Sequence, residues 1–301
     1  MTLSEFYRRQ LASWPQAAAA YEALEKIETR KVEVATPRGV CEYTLQHNPA
    51  RVRSTGAKID AASIAARPCF LCRKNRPKEQ MVLMPGGLDS ALSGMPYEIL
   101  VNPFPIFPMH FTIPATEHTP QMIAAGGDIR RFADMLRLAH AMEGMALFYN
   151  GAHCGASAPD HFHFQAVERE RLPLLQHPES APFLIYSHQS ADRKDMERWF
   201  GNLAQQLLLR QQSAYAEAAD EPEARMNMLC TYADGRWCAV VIPRRAHRPD
   251  FYGDGEKQHL LSPASVDLSG VVVVPSPRDY SAITPDILEK MFAQTCWLRE
   301  I

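Results

Sequence analysis

Two pairs of strand-like segments, each joined by a short turn, most constrain the fold of this chain. Residues 226–233 and 236–243 flank Asp234-Gly235, a dipeptide that favours a type I′ hairpin turn because both positions tolerate positive φ. Residues 31–35 and 40–46 flank a Thr-Pro-Arg-Gly turn and predict a second hairpin. Hairpins make neighbouring strands antiparallel, and helical segments are interspersed between them. The sequence therefore predicts an α+β fold with mostly antiparallel sheets flanked by helices, rather than a doubly wound parallel sheet.

Apolar residues at helical spacing predict the main helices. One helix is expected over residues 4–26 with Ser4 as its cap, and another over residues 192–212. Proline at a first helical position predicts further helix starts at Thr119-Pro120 and Thr284-Pro285. The remaining strands are predicted at residues 97–102, 107–113, 145–149 and 270–275.

Composition excludes several classes of partner and location. The chain has 301 residues with 32 Lys and Arg against 34 Asp and Glu, so its net charge of −2 does not attract nucleic acid or anionic membranes. The apolar runs are far shorter than the roughly eighteen residues of a membrane span. The seven cysteines are a poor disulfide framework, and residues 1–30 lack the apolar core of a signal peptide. We therefore expect a soluble, cytoplasmic protein.

The segment that begins at His161 carries the strongest functional signal. His161, His163 and Gln165 alternate with apolar residues, which predicts a strand with three polar side chains on one face. The small residues 155–159 before it predict a loop whose backbone N–H groups can cradle an anion. An isolated His-x-His pair is more often a chance feature of a half-buried strand. The loop before this pair and Gln165 after it favour a phosphate site beside a nucleophilic histidine.

Cys69 and Cys72 form a CxxC motif, whose spacing lets two thiolates bind one metal ion from a tight turn. The chain has no second CxxC, so the other ligands of a zinc site would be histidines, with His118 and His161 as candidates. A redox pair and two buried structural cysteines are the alternatives.

Three motifs together resemble a known superfamily. They are CFLC at residues 69–72, VNPFPIFPMHFTIPATEH at 101–118 and HxHxQ at 161–165. In these motifs the chain is similar to the nucleotidyltransferase branch of the histidine-triad superfamily. That branch includes galactose-1-phosphate uridylyltransferase, diadenosine tetraphosphate phosphorylase and the GDP-hexose phosphorylases. Residues 262–280 look most like the C-terminal part of the GDP-hexose phosphorylases.

The resemblance implies a division of the chain and an activity. Residues 1–175 would form a histidine-triad-like catalytic half, 176–225 a helical connector, and 226–301 a second half that has lost its catalytic residues. The leading function is phosphorolysis of a nucleoside diphosphate sugar, as in a GDP-hexose phosphorylase. The alternatives are a diadenosine polyphosphate phosphorylase or ATP adenylyltransferase, and a hexose-1-phosphate uridylyltransferase. A non-catalytic, zinc-stabilised nucleotide-binding module is the alternative from another class.

The resemblance also implies roles for individual residues. His163 would attack the α-phosphorus of a nucleotide and form a covalent nucleotidyl-histidine, and Gln165 would hydrogen-bond a phosphoryl oxygen. Hydrolases of the superfamily carry a third histidine where Gln165 stands, and an amide supplies no proton, so transfer is favoured over hydrolysis. His161 belongs to the same catalytic motif. The implied nucleotide-binding residues are Asn102, Phe104, Asn150, Gly155 and Ser157.

The uridylyltransferase of this branch binds a structural zinc, and the matching positions are Cys69, Cys72, His118 and His161. Such a zinc would position the strand that bears His163. The resemblance implies no organic cofactor, a nucleotide or nucleotide sugar and phosphate or a sugar phosphate as substrates, and a homodimer.

Two basic clusters are open to more than one interpretation. Arg51, Arg53 and Lys58 predict either a weak phosphate-binding site or ordinary solvated charge. The second cluster comprises Arg244, Arg245, His247 and Arg248. It predicts a surface loop or, with less weight, a site for the acceptor phosphate.

Overall fold

The computed structural model describes residues 1–36 and 38–299, apart from the side chain of residue 217. The described strands are β1 (Glu28–Thr36), β2 (Gly39–His47), β3 (Leu100–Val101), β4 (Phe111–Pro114), β5 (Met145–Asn150), β6 (His163–Glu168), β7 (Tyr186–Ser190), β8 (Met226–Ala233), β9 (Arg236–Pro243) and β10 (Val271–Val274). The described α-helices are α1 (Leu3–Ser13), α2 (Pro15–Glu22), α3 (Val52–Thr55), α4 (Ala61–Ala65), α5 (Pro85–Leu88), α6 (Arg130–Ala141), α7 (Arg193–Ala214), α8 (Pro277–Ala282) and α9 (Pro285–Thr295).

A mostly antiparallel sheet forms the centre of the fold. Over the described residues it has seven strands in the order β3-β4-β6-β5-β8-β9-β7, and every pairing is antiparallel. The predicted turn closes the β8–β9 hairpin, with φ of 51° at Asp234 and 74° at Gly235. The α+β fold class and both predicted hairpins are confirmed.

The second sheet joins the two ends of the chain. Within the described part of the chain it has three strands, in which β2 pairs antiparallel with β1 and parallel with β10. Alternate residues of β5 separate two apolar cores, because Leu147 and Tyr149 face one core with α6 and α7, whereas Phe148 faces the other. That second core also contains side chains of β2, β10 and α9. The strand β6 pairs with β4 on one side and with β5 on the other, and so it lies inside the large sheet.

The predicted division of the chain is not visible as a break in the large sheet. β5 from the first predicted half pairs with β8 from the second. The segment predicted as a helical connector supplies α7 and also the edge strand β7, which pairs with β9. The division into two halves remains a prediction.

Two helix predictions were wrong at their starts. The helix expected over residues 4–26 is two helices that meet at Trp14, because Pro15 begins α2 and lacks an N–H. Its cap is Thr2 rather than Ser4, and Thr2 forms a capping box with Glu5.

None of the helices in the described residues is both long and apolar enough to cross a membrane.

The helix expected at Thr119-Pro120 instead begins at Arg130. The backbone near Thr119 serves the functional strand: Thr119 O accepts a hydrogen bond from Phe162 N, and Gln121 N donates to Pro159 O at 3.0 Å. These contacts replace the first turn of a helix.

A matched pair of glycine substitutions tests how tightly the loop before β6 is packed. Gly155 and Gly144 have nearly the same backbone conformation, with φ of +89° and +87°. A Cβ at Gly155 would lie 2.5 Å from Ala264 Cβ, whereas one at Gly144 meets nothing within 4 Å. Gly144→Ala should cost about 1–2 kcal/mol of unfolding free energy, and Gly155→Ala about 1–3 kcal/mol more because of the added overlap. Urea unfolding of both variants measures this difference, and equal losses would show that the loop is free to move.

Candidate active site

A cleft of about 1040 Å³ lies beside β6. It is lined by most of the residues that the sequence singled out, and these are Arg51, Arg53, Lys58, Asn102, Phe104, Asn150, Gly155, Ser157, His163 and Gln165. His161 lies behind this cleft, in a cluster with the two cysteines of the CxxC motif. The structure therefore brings together residues that are more than a hundred positions apart in the chain.

His163 is the buried histidine that faces the cleft. Its Nδ1 lies 2.9 Å from His161 O, and because a carbonyl only accepts, Nδ1 carries the proton. The lone pair is then on Nε2, which has no hydrogen-bond partner among the described residues. Burial lowers the pKa of His163 to about 4, so the ring is neutral near pH 7. A neutral imidazole with a fixed tautomer and a free Nε2 is equipped to act as a nucleophile.

The main chain of His163 is held by Gln121, which the sequence analysis did not identify. Gln121 is fully buried, and its Oε1 accepts from His163 N at 2.7 Å. Its Nε2 donates to His163 O and to Asn150 O, both at 2.9 Å. One amide thus joins the end of β5 to the start of β6. No local pattern marks Gln121, because its partners are about 30 and 40 residues away.

The orientation of Gln165 is set by a second residue that was missed, His110. Nδ1 of His110 accepts from Ile106 N at 3.2 Å, so the proton is on Nε2 and is donated to Gln165 Oε1 at 2.9 Å. The amide oxygen of Gln165 therefore faces His110, which leaves its NH₂ group for the cleft. Burial lowers the pKa of His110 to about 3, which keeps the ring neutral. A histidine inside the apolar run 106–114 was the available signal.

Asn102 lines the cleft, but both ends of its side-chain amide are hydrogen-bonded within the protein. Its Nδ2 donates to Thr112 Oγ1 at 2.9 Å and its Oδ1 accepts from Phe104 N at 2.8 Å. Asn102 therefore shapes the turn that presents Phe104, whose side chain is 42% exposed and offers an aromatic face to a ligand.

The loop before β6 offers fewer amides than the sequence predicts. The N–H of Gly155 donates to His247 Nδ1 at 3.2 Å and is not available to an anion. Among the described residues, the amides at 156–158 make no hydrogen bond to the protein, and Ser157 lines the cleft. Of the expected anion cradle, the structure thus leaves the amide and the hydroxyl of Ser157 at the cleft.

The three basic residues before α4 all line the cleft. Arg51 is tied to the protein, since Nη1 donates to Phe104 O at 2.7 Å and Nη2 to Ser54 Oγ at 2.9 Å. Burial lowers the pKa of Arg51 to about 10, so it remains charged at neutral pH. Arg53 and Lys58 add further positive charge to the same wall.

Cys69, Cys72, His118 and His161 form a cluster in which the four ligand atoms lie within 4.8 Å of one another. Nδ1 of His161 lies 3.3 Å from Cys69 Sγ, and Nδ1 of His118 lies 3.3 Å from Cys72 Sγ. His161 Nε2 donates to Ala115 O at 2.8 Å, which leaves Nδ1 as the ligand atom. The donor set and spacing fit a closed tetrahedral metal site.

The alternating pattern predicted that the rings of His161 and His163 lie on the same face of a strand. In the structure the His161 ring belongs to the cysteine cluster, whereas the His163 ring lines the cleft. The strand begins only at His163, and a turn in which His161 N donates to Ala158 O precedes it. The hydrogen bond of His161 to the His163 ring is therefore made by its carbonyl and not by its ring.

A family model described as a domain of unknown function, DUF4922, matches residues 6–168. The chain belongs to the DUF4922 family. A search of curated protein sequences found no match for this DUF4922 chain.

Solved structures share the fold of the chain over nearly its whole length. The crystal structure of yeast Ap4A phosphorylase Apa2 is 18% identical, with a TM-score of 0.60, and the match covers 95% of this chain and 98% of that one. The same yeast enzyme in complex with AMP is 17% identical, with a TM-score of 0.55 and 96% of each chain covered. Its complex with Ap4A is 15% identical, with a TM-score of 0.57, 95% of this chain and 98% of that one. At these identities the likeness shows that the chain shares the fold of the yeast enzyme.

Two buried neutral histidines predict loss of stability in mild acid. Burial lowers the pKa of both His110 and His247 from 6.5 to about 3. Below pH 6.5 the unfolded chain binds protons that the folded chain does not, so stability falls as the pH falls towards 3. The two groups together contribute a slope of up to about 2.7 kcal/mol per pH unit.

Urea unfolding between pH 7 and pH 5 measures this slope. His247→Gln should reduce the slope by up to about 1.4 kcal/mol per pH unit, while His177→Gln, at an exposed position, should leave it unchanged. A wild-type stability that is constant over this range would contradict the prediction.

Proposed function

We propose that the chain is a nucleotidyltransferase of the phosphorylase type, which cleaves a dinucleoside polyphosphate with inorganic phosphate through a covalent nucleotidyl-His163. The observation that carries this proposal is the neutral, buried His163, whose Nδ1 is held by His161 O and whose Nε2 is free in the cleft. The fold shared with yeast Ap4A phosphorylase, also solved with AMP and with Ap4A, supports it.

The proposed reaction has two displacements at one phosphorus atom. His163 Nε2 attacks the α-phosphorus, the P–N bond forms, and the bond to the bridging oxygen breaks to release a nucleoside polyphosphate. Inorganic phosphate then attacks the same phosphorus, which breaks the P–N bond and releases a nucleoside diphosphate. The Nδ1–H bond to His161 O stabilises the cationic ring of the intermediate and holds it in place.

Gln165 favours transfer over hydrolysis in this scheme. Its NH₂ group donates to a non-bridging oxygen of the α-phosphate, because His110 holds the amide oxygen on the opposite side. An amide does not titrate, so it supplies no proton to the leaving group. A polyphosphate leaves as a stable anion and needs no proton, and the amide and hydroxyl of Ser157 share its negative charge.

The proposal is less specific about which substrate supplies the nucleotidyl group. The shared fold favours a dinucleoside polyphosphate over the GDP-hexose that the sequence placed first. A nucleoside diphosphate sugar remains the second candidate because residues 262–280 resemble the GDP-hexose phosphorylases, and Ser262 and Ala264 line the cleft.

The cluster of Cys69, Cys72, His118 and His161 is the proposed zinc site. A bound zinc ion would supply no reacting group and would act by holding its ligands together. The residue that transmits this effect is His161, whose ring belongs to the cluster and whose carbonyl orients His163.

Intact-protein mass spectrometry without an acceptor tests the covalent mechanism. The chain is mixed with diadenosine tetraphosphate, GDP-, ADP- and UDP-sugars, and we expect a mass gain of one nucleoside monophosphate with the true donor. His163→Ala should abolish the adduct, and His177→Ala, an exposed histidine, should retain it. Turnover that persists in His163→Ala would contradict the mechanism. Binding of a donor without adduct or turnover would instead identify a non-catalytic module.

Metal analysis of the purified protein tests the zinc site. We expect about one zinc ion per chain, lost in Cys69→Ser and Cys72→Ser but retained in Cys238→Ser, which replaces a cysteine outside the cluster. Loss of zinc should also slow adduct formation, because His161 would no longer be held. Metal-free wild-type protein from zinc-supplemented cells would rule out the site.

A further inference from the structure

Arg244 is a fully buried arginine directly after β9, and so it is not the surface residue that the sequence favours. Its Nε donates to Thr295 O at 2.8 Å, Nη1 to Pro263 O at 2.9 Å, and Nη2 to main-chain carbonyls at 246 and 247. In the described part of the chain, no carboxylate lies within ion-pair distance of it. A buried cation without a protein counter-charge is costly unless an anion approaches it.

The remaining hydrogen bond of Arg244 runs towards the cleft. Its Nη1 also donates to Asn227 Oδ1, and because a guanidinium only donates, the amide oxygen of Asn227 must face it. Asn227 Nδ2 then points the other way and donates to Asn150 Oδ1 and to Cys154 O, both at 2.8 Å. Arg244 thereby determines the orientation of a buried amide that contacts both β5 and the loop before β6.

Asn150 ends this series with a free donor. Its Oδ1 accepts from Asn227 Nδ2 at 2.8 Å, from Ser265 N at 2.9 Å and from Ser265 Oγ at 2.7 Å, so its NH₂ group lies on the opposite side. Asn150 is 6% exposed and lines the cleft, and its Nδ2 has no acceptor among the described residues. The β5–β6 register pairs Phe148 with Gln165, which on continuation places Asn150 opposite His163. Beyond the ladder the Gln121 amide bonds the main chain of both residues, and both side chains line the cleft.

We propose that Arg244 is a positioning residue that, through Asn227, keeps the Asn150 NH₂ group directed at the phosphoryl group that His163 attacks. This inference rests on the proposed function for its reaction and adds residues from the second predicted half to the site. Each hydrogen bond in the series polarises the next in a low-dielectric interior, so the buried charge also strengthens the final donor.

Asn227→Asp tests the series with little change of shape. The new carboxylate pairs with Arg244, which offsets part of the stability lost with the hydrogen bonds to Asn150 Oδ1 and Cys154 O, so the variant should fold with a lower melting temperature. Its second oxygen takes the place of a donor and repels Asn150 Oδ1, so the Asn150 amide should lose its fixed orientation although Ser265 N still donates to it. Adduct formation at His163 should slow by about tenfold to a hundredfold, as expected for a lost hydrogen bond to a charged group. The matched control is Arg245→Gln, since Arg245 bonds Tyr215 Oη and Ala293 O instead, and its rate should stay within about twofold of wild type.

A double-mutant cycle separates positioning from a general electrostatic or structural effect. If Asn227 acts through Asn150, then Asn227→Asp should have little effect on the rate in an Asn150→Ala background. Equal losses in the two backgrounds would overturn the proposal. Arg244→Lys should recover part of the rate that Arg244→Met loses, because it restores a donor and the charge.

Equilibrium binding distinguishes failure of this inference from failure of the proposed function. If wild type forms no adduct with any donor, AMP and adenosine are used as probes. Asn227→Asp should then weaken AMP by about tenfold and leave adenosine unchanged. Equal weakening of both probes, or of neither, would overturn the role of Arg244. If wild type forms the adduct but the rate losses from Asn227→Asp and Asn150→Ala are additive, the proposed function stands and this inference is rejected.

Discussion

The clamp that Gln121 makes between β5 and β6 is the interaction on which the site depends. The ladder between these strands pairs Phe148 with Gln165, and beyond that pair the Gln121 amide bonds the main chain of Asn150 and His163. All of these groups are buried, so loss of the amide would leave several of them without partners. The same constraint explains why the chain near residue 120 is not helical: its backbone and side chains hold the strand ends.

The site is built from polar groups that are expensive to bury and are therefore well bonded. His163 and His110 are kept neutral by burial, and each uses one ring nitrogen for a main-chain contact and the other for the cleft or Gln165. Arg244 is kept charged and satisfied by carbonyls and one amide. Such groups contribute less to stability than apolar side chains would, but they orient donors towards one point. This arrangement suits the stabilisation of charge that develops on a phosphoryl group.

Much of the local structure follows from the sequence. The Asp234-Gly235 turn, the alternation around His163 and the CxxC spacing each depend on neighbouring residues, so their geometry is encoded within a few positions. The same alternation misplaced His161, because a period of two holds only inside a strand and β6 begins two residues later. Gln121 and Asn227 could not be found in this way, since each acts on partners far away in the chain.

The sequence by itself determined the α+β class, both hairpins and the residues around His163 that line the cleft, because short-range periodicity and turn chemistry specify them. Only the tertiary structure decided that β10 pairs parallel with β2, that Gln121 joins the ends of β5 and β6, and that Arg244 is buried. Each of these depends on contacts across many tens of residues, where the free energy comes from burying surfaces and pairing polar groups that no local pattern records.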